Sequence, residues 1–120
     1  MNTKLIGAAG ESLAAKYYRD NGYELIAANY RTRMGEIDII AKQNDMIIFV
    51  EVKSRSIGSI AAPREFVTQA KQDKIILAAK NFLVTHDFAD NYSRFDVIEV
   101  YIGDCGEHKI NCIENAFTLK

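Results

Sequence analysis

Asp38, Glu51 and Lys53 are the residues of this chain whose types and spacing suggest chemistry. They fall within GEIDIIAKQNDMIIFVEVKSR, residues 35–55, which reads as two apolar strands around a short polar turn. Acids and a lysine inside such strands are costly to bury unless something pairs with them. Side chains alternate along a strand, so Glu36, Asp38 and Ile40 share one face, as do Phe49, Glu51 and Lys53. Asn and Asp favour turns, which places the reversal at Asn44–Asp45. Gln43 then faces Met46, and Asp38 stands opposite Glu51. Two carboxylates in that position repel. A hard cation such as Mg²⁺ converts the repulsion into coordination, because it takes oxygen ligands. Lys53, two residues beyond Glu51, is then placed to reach a phosphate or an attacking water. The plainer alternative is a hairpin with a solvated polar face and a surface Glu–Lys pair. The runs Ile37, Ile39–Ala41 and Met46–Val50 are apolar on both faces and suit a strand covered on both sides. The reading depends on register, since a one-residue change in the loop would send one carboxylate to the opposite face.

The elements around this hairpin must position it. Residues 3–20 read as a helix, with Leu5, Ala9, Leu13 and Tyr17 recurring as an apolar stripe alongside Ile6, and Asn21-Gly22 as its end. A second face carries Gly7, Ala8, Gly10, Ala14 and Ala15, small enough for close approach to another surface, with Glu11 as its one acid. Glu11 is either a solvent-facing helix residue or a carboxylate aimed at the hairpin. Residues 23–32 read as a first strand, followed by Arg31 and Arg33 at its end. Arginines there suit bidentate phosphate contacts, or are simply exposed. Gly35 marks a tight turn or a close backbone approach.

After Arg55 comes a loop with the sole proline, Pro63, placed to clamp a substrate or merely to move. Thr68 reads as the cap of a second helix over roughly 69–86, with Ile75, Ala79, Phe82, Leu83 and His86 as its buried stripe. His86 is expected to end that helix rather than bind a metal. Lys71 lies in the first turn, where the helix dipole disfavours a cation, and a nearby anion is one reason for it to stand there. Residues 94–102 form a strand whose Asp96 is a third carboxylate or, the preferred reading, a structural partner of Arg94 or another arginine. The tail, from His108, reads as a short strand followed by a turn of helix. The order helix, three strands, helix, strand gives an α/β/α sandwich around a mixed central sheet.

The 120 residues, 48% hydrophobic and 26% charged, suit a single domain spanning 1–120. No apolar run approaches the ~20 residues of a membrane span. The N-terminal residues lack the apolar core of a signal peptide, so a cytoplasmic location is expected. Cys105 and Cys112 form no CxxC pair, and reduced thiols are expected. The net charge of −1 argues against a generic polyanion binder, but its distribution matters more. Lys53, Arg55, Arg64, Lys71, Lys74 and Lys80 outnumber Glu65 and Asp73 over residues 53–80, whereas residues 81–120 are acidic. A local basic patch next to the EVK segment is what phosphate contact requires. For Lys74 and Lys80 a solvated helix face is the preferred reading.

Asp38 followed by Glu51-Val52-Lys53 resembles the D…ExK core of the PD-(D/E)xK nucleases. GAAGESLAAKYY, NYRTRMGEIDIIA, IIFVEVKSRS, VTQAK, RFDVIEV and IENAF, spanning nearly the whole chain, look like the YraN family of small bacterial proteins. The resemblance implies a restriction-endonuclease-like fold related to archaeal Holliday-junction resolvases. It carries Glu11, Asp38, Glu51 and Lys53 onto active-site positions, with Mg²⁺ or Mn²⁺ held by Asp38, Glu51 and Glu11. Arg31, Arg33, Arg55 and Lys71 are the candidate nucleic-acid contacts. Glu36 and Asp96 also fall in family motifs, and Cys112 aligns where the family commonly has a histidine. The implied activity is metal-dependent hydrolysis of phosphodiester bonds in DNA, branched DNA included, by a homodimer if the analogy with resolvases extends that far. The alternatives are a non-catalytic nucleic-acid-binding module of a DNA processing or uptake complex, and an interaction protein that docks a partner through its acidic half.

Overall fold

The turn at Asn44–Asp45 sets the register at the centre of the sheet. Asn44 takes the left-handed conformation at φ 53°, and Gln43 pairs with Met46. Asn reaches that conformation more readily than bulkier residues. The computed structural model describes residues 3–58 and 67–118. The order is α1 (Thr3–Asp20), β1 (Glu24–Arg31), β2 (Glu36–Gln43), β3 (Met46–Ser56), α2 (Gln69–Thr85), β4 (Tyr92–Ile102) and β5 (His108–Phe117).

The strands form one sheet in chain order, β1-β2-β3-β4-β5. β3 and β4 are parallel and every other pair is antiparallel. The parallel pair follows from α2, which supplies the crossover that such a connection needs. The result is an α/β sandwich around a mixed sheet. One layer packs Ala14 and Tyr18 of α1 against Ile39, Ile48, Val50 and Ile98. The other packs Ile75, Ala79 and Phe82 of α2 against Ile40, Ile47, Phe49 and Phe95. Each large aliphatic side chain so buried contributes about 1.5–3 kcal/mol.

Three expectations need correction. In α1 the small-residue face, not the Leu5–Tyr17 stripe, lies deepest: Gly10, Ala14 and Tyr18 are buried and Leu5 is 56% exposed. A Cβ on Gly10 would lie 1.8 Å from Ser54 Oγ, so α1 rests almost directly on β3. In α2, Thr68 does cap the helix, its hydroxyl accepting from Lys71 N at 3.2 Å. His86 does end it, donating its backbone N–H to Phe82 O at 3.0 Å, but it is exposed rather than part of the buried stripe. Among the described residues the tail is one ten-residue strand, β5, with no helical turn. Its ladder with β4 shifts between Phe95 and Val97, and Asn115 there has φ 53°. That bulge hid the strand from a reading based on alternation.

Asp96 ties this side together. Its carboxylate accepts from Tyr18 Oη at 2.8 Å, Arg94 Nε at 2.8 Å and Asn115 N at 3.0 Å. Arg94 Nη2 also donates to Tyr23 Oη at 2.9 Å. The acid is buried and fully paired, which bears out its structural reading. The loop expected to clamp a substrate, with Pro63 and Arg64, lies outside the described residues.

Candidate active site at the open end of the central hairpin

The β2–β3 pairing stops at Ile39↔Val50, although β2 begins at Glu36 and β3 runs on to Ser56. β3 stays paired with β4 along that whole stretch. The two strands of the hairpin therefore part just where Asp38 and Glu51 stand. In the opening, Val52 N–H has no strand partner on β2, and Asp38 Oδ2 accepts from it at 2.8 Å. This fixes the Asp38 carboxylate between the strands. The register continues Gln43↔Met46 without a shift up to Ile39↔Val50, and beyond it, where the ladder has ended, the Asp38 and Glu51 side chains still meet through a hydrogen bond.

Glu51 is only 8% exposed. Lys71, in the first turn of α2, places its Nζ 3.5 Å from Glu51 Oε2. This is the anion that the position of Lys71 called for. The Glu51 carboxyl is pushed up to about 8, first by burial and then by its hydrogen bond with Asp38 and the charge of Asp38; Lys71 and Lys53 pull the other way. Lys53 thus acts on Glu51 from two residues along the same face of β3. A cleft of about 340 Å³ opens here, lined by Gly35, Glu36, Asp38, Glu51, Lys71 and Lys74 among others. Its wall is close-packed: a Cβ on Gly35 would lie 2.6 Å from Lys74 O, so Gly35 serves a close backbone approach to α2.

Glu11 is a half-buried residue of α1. Its carboxyl is raised by partial burial, then by the charges of Asp38 and Glu36, with Arg31 opposing. The charges of Asp38 and Glu36 reach Glu11, but Glu11 is not part of the cleft lining. Among the described residues, however, no group of three or more His, Cys, Asp or Glu is arranged to hold a metal ion. Asp38 and Glu51 form the pair, and Glu11 stands apart as an electrostatic neighbour. Arg31 is exposed and its Nε lies 3.3 Å from Glu36 Oε1. Arg33 is exposed in the β1–β2 turn, which Thr32 closes by accepting from Met34 N and Gly35 N. Arg55 is half-buried on β3, on the face of Glu51 and Lys53. Lys74, read from the sequence as a solvated residue, is exposed as expected and also borders the cleft one turn beyond Lys71. The i,i+3 spacing of the two lysines was the available signal. Cys112 is not in this cleft; it lies on β5 with its Sγ 3.4 Å from Tyr18 Oη.

The architecture and the site together define a class: a small α/β-sandwich protein with an acid pair and lysines in the gap of its central hairpin. A family model described as uncharacterised protein family UPF0102 matches residues 10–100. A UPF0102 protein of Alkaliphilus oremlandii is 49% identical over 119 residues, covering 98% of this chain and 100% of the relative. One from Clostridioides difficile is 46% identical over 117 residues, and one from Caldicellulosiruptor bescii 44% over 119, each with 98% of this chain and 100% of the relative covered. The chain belongs to the UPF0102 family, the YraN-like family that its motifs resemble. No helix among the described residues is long and apolar enough to cross a membrane.

Proposed function

We propose that this chain is a metal-dependent phosphodiesterase that cuts nucleic acid, with DNA, branched forms included, as its substrate. The observation that carries the reading is the meeting of Asp38 and Glu51 in the β2–β3 opening beside Lys53 and Lys71. The resemblance of Asp38 and Glu51-Val52-Lys53 to the PD-(D/E)xK nuclease core points the same way.

The residues suit a hard divalent cation. The donors are carboxylate oxygens only, and the Glu51 carboxyl is raised first by burial and then by its hydrogen bond with Asp38 and the charge of Asp38, a charge that a cation would offset. Mg²⁺ or Mn²⁺ held there would polarise a phosphate and lower the pKa of a bound water. Asp38 and Glu51 are the holding residues, with Glu11 as a further carboxylate within their field. Lys53 orients the water and offsets negative charge that builds on the phosphate oxygens. Arg31, Arg33, Arg55, Lys71 and Lys74 supply cations for the flanking phosphates. Cutting both strands of a two-fold substrate calls for two copies of the chain. A cytoplasmic location fits this reading.

The test is cleavage of labelled duplex, four-way-junction and single-stranded DNA by purified protein with Mg²⁺ or Mn²⁺, alongside Asp38→Asn. Cleavage by the wild type that stops with EDTA and in the variant is the expected result. No cleavage of any substrate overturns it. One observation favours a second reading, a module that binds nucleic acid without cutting: Asp38, Glu51 and Glu11 are not gathered into a three-ligand cluster. Salt-sensitive DNA binding that survives EDTA, without cleavage, identifies that case.

A further inference from the structure

Lys71 has a partner that the nucleic-acid reading does not give it. Its ammonium is directed at Glu51, 3.5 Å away, and not only at the mouth of the cleft. We infer that Lys71 is a built-in stand-in for the divalent cation: it holds the Asp38–Glu51 pair in the ion-free chain and must leave Glu51 when an ion takes its place. The inference rests on the proposed function, since it presumes an ion at these carboxylates.

Three observations support it. First, Glu51 is nearly buried and next to Asp38, so an ionised Glu51 requires a nearby cation. Second, of the cations acting on Glu51, Lys71 belongs to a different element and Lys53 to the same strand. Lys53 is confined to the face of β3, whereas the Lys71 side chain is 49% exposed and long enough to swing away. Third, Lys71 sits in the first turn of a 17-residue helix that has no acid there to offset it, so its own helix does not favour the charge. The Lys71 ammonium and a doubly charged ion repel at one carboxylate, so each weakens the other, and the coupling is reciprocal.

The experiment is calorimetric titration of Mg²⁺ into full-length wild type, Lys71→Gln, Lys71→Arg and Lys74→Gln, all in the same buffer. Thermal melts in EDTA accompany it. Lys71→Gln is expected to bind Mg²⁺ about tenfold more tightly than wild type, a typical single-site coupling, and to melt lower in EDTA. Lys71→Arg, which keeps the charge, and Lys74→Gln, which removes a charge from the same cleft but not from Glu51, should stay near wild type. Equal or weaker Mg²⁺ affinity in Lys71→Gln, with wild type binding normally, overturns the inference and leaves the site intact. So does equal tightening in Lys74→Gln, which would make the effect one of general charge. No Mg²⁺ binding by wild type overturns both the inference and the metal site on which it rests.

Discussion

Glu51 is the residue with the most conflicting demands on it. Burial and Asp38 favour its protonated form, while Lys71 and Lys53 favour the charged one, and the balance leaves its carboxyl near 8. A carboxyl raised in the folded state keeps its proton where the unfolded chain has lost it. Its contribution to stability is therefore full below about 4.5 and is lost as the pH climbs to about 8. Urea denaturation in EDTA should show the ion-free protein losing stability across that window, and Glu51→Gln should flatten the dependence. A wild-type curve that rises with pH across the same range would contradict the assignment. At Lys53, substitution by Met keeps the stem and removes the ammonium. The proposed nuclease turnover, measured with a fluorescent duplex, should fall at least about 100-fold, the scale of general acid–base and electrostatic contributions, with the melting temperature shifting little. The carboxylate pair was legible in the sequence because Asn44–Asp45 fixes the register and Ile39–Ala41 and Met46–Val50 are apolar on both faces. The Lys71–Glu51 contact was not, because it joins a helix to a strand twenty residues away and no periodicity encodes that distance.

At the scale of elements, α1 and the Asp96 network do the positioning. Gly10 lets α1 lie against Ser54 of β3, and Glu11 follows directly from that contact. Gly10→Ala places a carbon 2.7 Å from Ser54 Cβ and must displace one element. It should cost about 1–3 kcal/mol by overpacking, and Ser54→Gly should recover most of the loss in the double variant, as urea midpoints will show. Asp96→Ala strands Arg94, whose side chain is only 16% exposed, without its buried partner. That should cost about 3–5 kcal/mol, read by denaturation, with metal affinity of the surviving fold unchanged because Asp96 faces Tyr18 and not the cleft. Helix boundaries were readable from caps and spacing: Thr68 and Asn21-Gly22 mark them chemically. On α1 the small-residue face was readable as the one for close approach, and Gly10 and Ala14 lie there; that Leu5 of the bulky stripe stays exposed was not. Strand β5 was obscured by its bulge at Asn115, where alternation fails.

For the molecule as a whole, charge is distributed rather than abundant. The net charge is −1, yet Lys71 and Lys74 line one cleft, and Arg31 pairs with Glu36, a further residue of its lining. Binding to duplex DNA should therefore weaken steeply with salt. Arg33→Ala should reduce the slope of log K against log salt by about 1 without changing sequence preference, measured by anisotropy between 50 and 200 mM salt. An unchanged slope would remove Arg33 from the interface. Global composition carried none of this; the order of charges along residues 53–80 did. Whether Glu11 turns toward the hairpin depended on how the α1 layer seats on the sheet, a property of the assembled fold.

The most direct test is diffraction from a crystal soaked in Mn²⁺, recorded for the anomalous signal of the ion. A single strong peak within bonding distance of both the Asp38 and Glu51 carboxylates, with Lys71 drawn away from Glu51, is the result this account predicts. A peak elsewhere, or none at these carboxylates at a Mn²⁺ concentration that supports binding in solution, would contradict it.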